Sequence, residues 1–177
     1  MKLSRFERAR RILWGRYFRT SRRSSERDRR SLLKSLPIFN ELSYWQIMSI
    51  EDYFYRREYG KNEEIFGIGY PGAALFIVEQ GEVGIFVDGS RGRERIATLK
   101  KGDFFGEMAL LDDEPRSATA MALSDVKVLA LFRKDMNDIK QTKPEISSQI
   151  FRSLGQVIAS RLRATNQLLG ESDQEAS

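Results

Sequence analysis

Neither cysteine nor histidine occurs among the 177 residues. Their absence removes disulfides, thiolate metal sites, the commonest general base and the commonest zinc ligand together. Long apolar runs are also missing. The longest, Ala73-Ala74-Leu75-Phe76-Ile77-Val78, falls far short of the ~20 residues a membrane span needs. The N-terminus is basic without an apolar segment behind it, which is not the pattern of a secretory signal. Asp112-Asp113-Glu114 lacks the alternating ligand spacing of a calcium loop and reads as a solvated acidic turn, so no metal is expected. No separated pair of acids stands out for catalysis, and an enzyme is not expected. The exclusions leave a cytoplasmic binding protein, peripheral at a membrane if its basic end meets lipid.

The charge is unevenly spread. Residues 1–34 hold 13 Lys/Arg against 3 Asp/Glu, and the remaining 143 hold 17 against 22. The excess of cations therefore belongs to the N-terminal end, and partners drawn by charge are sought there. Residues 1–20 read as an amphipathic helix, with Leu3, Phe6, Leu13 and Tyr17 at helical spacing and Arg5, Arg8, Arg11, Arg16 and Arg19 between them. Three readings compete: packing on this protein or a sister chain, contact with an anionic membrane, and, ranked lower, nucleic acid. Residues 20–31 hold no apolar residue and read as a linker or helix extension, closing an N-terminal region over 1–31. Within it, Arg22-Arg23-Ser24-Ser25 matches the Arg-Arg-x-Ser pattern of basophilic kinase substrates, with Ser25 as the acceptor.

The body spans residues 32–169. Pro37 ends one short helix, and Ser43-x-x-Gln46 can box the start of another running through Ile47, Ile50 and Phe54. Over about 56–132 the pattern changes to short strands between glycine turns: Glu64–Phe66, Leu75–Glu79, Val83–Val87, Arg95–Leu99, Ala118–Ala122 and Val126–Phe132. Gly67-Ile68-Gly69-Tyr70-Pro71-Gly72 satisfies G-x-G-x-x-G literally. A dinucleotide fingerprint needs a helix to start there, whereas Pro71-Gly72 is turn chemistry, so we read a hairpin loop. Over 133–169 the period returns to helical: a short helix Lys134–Lys140, then a long one from Pro144 to about Leu169. Phe151, Leu154, Ile158, Leu162, Thr165 and Leu169 form its stripe, wide enough both to cover the barrel and to pair with another copy. A helix folded back as a lone lid is the rival. Residues 170–177 read as a frayed polar end.

One stretch carries the chemistry. Phe104-Phe105 ends a strand, Gly106 opens a turn with room for about one helical turn before Asp112, and Pro115 stiffens the return. The first amides of such a turn lack partners, and glycine lets an anion approach them. Arg116 is the sole cation between Asp103 and Lys127, and a guanidinium suits bidentate phosphate binding. Glu107 at the same mouth would repel a phosphate unless it accepts a sugar hydroxyl. Together these residues describe a pocket for a phosphate attached to a ribose.

Phe105-Gly106-Glu107-Met108-Ala109-Leu110-Leu111 with Pro115-Arg116-Ser117-Ala118-Thr119 resembles the phosphate-binding cassette of cyclic nucleotide-binding domains. The resemblance spans roughly residues 32–169. It implies an α+β fold: an eight-stranded, jelly-roll-like β-roll with N-terminal helices, a C-terminal hinge and a long helix. It implies that Glu107 accepts the ribose 2′-hydroxyl and that Arg116 holds the cyclic phosphate. The amides of Gly106, Glu107, Met108, Ala109 and Ser117 would complete the cradle. In the bacterial transcription-factor branch a polar pair late in the long helix touches the purine, which places Thr165 and Asn166 as base contacts. On binding, the cassette would draw inward, and Met108 and Leu111 would repack against a hinge around Met136, Ile139 and the long helix. The implied ligand is a cyclic mononucleotide, cAMP favoured over cGMP with Ser117 as the deciding residue, and the implied partners are a separate protein effector and a second copy of the chain. The competing reading is a docking or assembly protein whose barrel binds nothing and whose Arg-rich helix acts on a protein complex, membrane or nucleic acid.

Overall fold

A computed structural model describes residues 25–89 and 92–175. The expected basic helix over 1–20 and Arg22-Arg23-Ser24 lie outside the described residues. Ser25 is the first residue of helix α1 (Ser25–Ser35), so the polar tract is a helix extension rather than a loop linker from that point. Helix α2 (Tyr44–Ile50) starts with the expected box: Gln46 N–H donates to Ser43 Oγ at 3.2 Å, and Ser43 N–H donates to Gln46 Oε1 at 2.7 Å. The helix stops earlier than the periodicity suggests. After a 3-10 turn over Glu51–Tyr53, Phe54 opens a strand rather than closing a helix turn.

Eight strands follow: β1 (Phe54–Tyr59), β2 (Glu64–Phe66), β3 (Ala74–Gln80), β4 (Val83–Gly89), β5 (Gly92–Leu99), β6 (Phe104–Phe105), β7 (Thr119–Ala122) and β8 (Val126–Phe132). They form two antiparallel four-stranded sheets, ordered β1-β8-β3-β6 and β2-β7-β4-β5. β1 escaped the sequence pattern because Tyr55, Arg56 and Arg57 alternate weakly, yet it pairs along its length with β8, Phe54 opposite Leu131. The loop over 67–72 is not a hairpin. β2 and β3 lie in different sheets, so the glycines and Pro71 carry the chain from one sheet to the other.

Two cores result from strand alternation. Ala74, Phe76 and Val78 of β3, with Val128 and Ala130 of β8, face the inside of the roll. Leu75, Ile77, Leu129 and Leu131 face the helices. A strand buried on both faces reads as an unbroken apolar run, and that is the source of the 73–78 stretch. Helix α3 (Arg133–Thr142) and helix α4 (Pro144–Glu175) close the helical side through Met136, Ile139, Ile146, Ile150 and Leu154. The α4 stripe packs as far as Val157 and Ile158. One turn later Leu162 is 59% exposed, and the helix continues through the polar end to Glu175. Among the described residues no helix is long and apolar enough to cross a membrane.

Candidate functional site

β6 delivers Phe105 into the roll, and Gly106 then turns the chain with φ +73° into a 3-10 turn over Glu107–Leu110. Only glycine enters that conformation at low cost. Space makes the same demand: a Cβ on Gly106 would lie 2.6 Å from Arg116 Nη1 and 3.1 Å from Ala74 O. The turn is as short as the spacing to Asp112 predicts. Its Ala109 N–H donates back to Gly106 O at 3.3 Å.

Arg116 returns beneath this turn and is buried. Its backbone is clamped by the inter-sheet loop: Gly69 N–H donates to Arg116 O and Arg116 N–H to Tyr70 O, both at 2.8 Å. Nη1 donates to Gly106 O at 3.0 Å and Nη2 to Ala74 O at 2.8 Å, while the guanidinium lies 4.0 Å above the Phe66 ring. Nε is buried without a hydrogen-bond partner among the described residues. Burial pushes the Arg116 pKa down to about 10, against the opposing pull of Glu107 and Tyr59. The same desolvation drives the Tyr59 phenol up to about 12. Among the described residues no carboxylate lies within salt-bridge distance of Arg116. A buried cation held by carbonyls and an aromatic face, with no anion against it, is a charge prepared for one.

The cassette turn and Arg116 border a cavity of about 520 Å3. Gly106, Glu107, Met108, Ala109, Arg116 and Ser117, all expected at the site from the sequence, form one wall. Ile85, Ile96, Ala97 and Leu99 form an apolar wall opposite, and Arg161 reaches in from α4. Glu107 is buried and accepts from Arg161 Nη1 at 2.5 Å; Arg161 also lies 4.7 Å above the Phe104 ring. The site is therefore polar at one end and apolar at the other, within the size range of small-ligand pockets.

Arg161 and Phe66 escaped the sequence reading as site residues. For Arg161 a signal existed, since it stands one turn before Thr165 on the same helix face. Phe66 gave none. The remaining two expected residues follow Arg161 along α4: Asn166 is exposed and does not border the cavity, and the Thr165 side chain lies outside the described residues. Met108 and Leu111, expected to repack on the hinge when ligand binds, are 50% and 48% exposed.

With this geometry in place, similarity to known proteins can be stated. Residues 56–143 match the cyclic nucleotide-binding domain family. The chain is 38% identical over 132 residues to a cyclic AMP receptor protein of Thermus thermophilus, covering 74% of this chain and 59% of that protein. It is also 38% identical over 101 residues to a cAMP-dependent protein kinase regulatory subunit of Hypocrea atroviridis, covering 57% of this chain and 21% of that protein. Among solved structures, the Thermus thermophilus catabolite activator protein superposes with a TM-score of 0.68 at 36% identity, over 75% of this chain and 61% of that one. The chain thus spans less than two thirds of these relatives.

Proposed function

This chain belongs to the cyclic nucleotide-binding domain family through residues 56–143, and on that footing we propose that it binds a 3′,5′-cyclic mononucleotide, cAMP in preference to cGMP, as a regulatory ligand. The observation that carries the reading is Arg116: a buried guanidinium bordering the cavity with no anion of its own among the described residues. The cyclic phosphate takes that place, with the free amides at the start of the 3-10 turn and Ser117 beside it. Glu107 accepts the ribose 2′-hydroxyl, and the base lies along Ile85, Ile96 and Leu99. Arg161 already shares Glu107, so α4 meets the ligand at the sugar, and contact of Thr165 and Asn166 with the base requires α4 to move, since Asn166 does not border the cavity. A ligand shifts α3 and α4 by as much as its affinity differs between their positions. The signal passes to a separate protein effector, and two copies of the chain pair along α4 beyond Ile158, where Leu162 is exposed.

Competition of unlabelled cAMP and cGMP against a fluorescent cyclic nucleotide tests the assignment. Saturable displacement, with cAMP the stronger competitor, is expected. Displacement by neither would leave the docking role of the Arg-rich end as the better account, and equal or stronger displacement by cGMP would refute the cAMP preference alone.

A further inference from the structure

The last carbonyls of a helical turn have no donors of their own. In the cassette a side chain from another element meets one of them, Ala109 O. Arg133, first residue of α3, donates from Nε to Ala109 O at 2.5 Å and from Nη2 to Asp112 O at 2.5 Å. The same Nη2 donates to Gly72 O at 2.9 Å, and Nη1 pairs with the Asp113 carboxylate. Its own backbone N–H donates to Ala73 O at 2.8 Å. One guanidinium therefore joins the cassette, the end of the inter-sheet loop and the head of the hinge helix.

The fit is tight on the strand side as well, since a Cβ on Gly72 would come within 2.9 Å of Ala109 Cβ. The apolar alternative is weak here, because Met108 and Leu111 are about half exposed. The carboxylate is the lesser part of the contact: Asp113 is 94% exposed, and exposed ion pairs contribute little. The backbone acceptors matter more, and their spread across three residues needs the planar fork of Arg; a lysine ammonium is a single point.

We propose that Arg133 is a positioning residue that ties the cassette to the head of α3, so that the two move as one body and a displacement of the cassette reaches α4. The tie is made by this chain's own residues and goes beyond the binding reading, so the two can fail separately.

Hydrogen exchange on the full chain without nucleotide tests it. In Arg133→Met, amides of residues 107–112 should exchange at least tenfold faster than in the wild type, with β3 and β8 unchanged. Arg133→Lys should fall between, and Asp113→Asn should stay within twofold of the wild type. Unchanged cassette exchange in Arg133→Met overturns the proposal, and so does an equal acceleration in β3 and β8, which would assign Arg133 to stability alone. If the Met variant does not fold, the Lys variant decides by the same comparison. With cAMP added, the wild type should gain protection in both the cassette and α3, and the Met variant in the cassette alone; equal gains in α3 overturn the proposal. A wild type that ignores cAMP counts against the ligand reading, and the nucleotide-free comparison still decides the tie.

Discussion

Arg116 shows how a cation can be held ready inside a small roll. Two carbonyls and the Phe66 ring fix it, burial pushes its pKa down to about 10, and among the described residues no anion lies against it. Arg116→Ala removes a charge-assisted contact, typically about 1.5–3 kcal/mol, so affinity for cAMP should fall at least tenfold by calorimetry; wild-type affinity would contradict the assignment. The sign of its pH dependence follows from the same pKa. Binding needs the protonated guanidinium, and the chain has no histidine to titrate nearer neutrality. Affinity should therefore be flat between about pH 6 and pH 8 and weaken as pH rises toward 10. A step near pH 6.5 would point to a different binding group. Gly106 is the second residue with no substitute. Gly106→Ala meets a left-handed backbone cost of roughly 1–2 kcal/mol and drives its methyl onto Arg116. We expect reduced affinity together with a melting temperature lower by roughly 2–8 °C. An Ala variant that binds and melts as the wild type does would show that the turn can relax.

Among the elements, those with a strong internal signature were legible in the sequence. The capping box placed α2, Pro144 placed the start of α4, and the glycine spacing placed the cassette turn. β1 and the end of α2 were not legible, because Phe54 suits either period and only its pairing with Leu131 decides. Helix α1 was underestimated for a related reason: its polar residues are held by partners distant in sequence. Arg30 grips the buried Glu51 carboxylate through Nε at 2.5 Å and Nη2 at 2.6 Å, raising its own pKa through those hydrogen bonds. Arg29 reaches Glu51 O. A chain beginning at Leu32 would leave Glu51 buried without Arg29 and Arg30, whereas one beginning at Ser25 keeps them. The shorter chain should unfold at a lower urea concentration than the longer, because Glu51 loses its paired guanidinium. Equal stability of the two would mean that α1 contributes nothing through Glu51.

At the scale of the molecule, two halves divide the work. The roll supplies the cavity, the helices cover its outer sheet, and Arg133 and Arg161 make polar contacts between them at the cassette. Arg133 was opaque in the sequence because its main acceptors are backbone carbonyls that have no sequence signature, and Arg161, whose carboxylate partner is 54 residues away, was hinted at only by its place one turn before Thr165. The cassette was legible because its demands are local: a left-handed glycine, one acid and one cation within a single loop. The account therefore rests on the cavity being a receptor for a cyclic nucleotide. Anything that binds the folded chain and not the unfolded one must raise its melting temperature by mass action. A thermal-shift titration with cAMP is the most direct test. At a hundredfold excess over Kd, stabilisation of about 2.7 kcal/mol is expected, or a rise of roughly 5–10 °C for a chain of this size, abolished in Arg116→Ala. A melting temperature indifferent to cAMP, cGMP and other cyclic mononucleotides at millimolar concentration would contradict it.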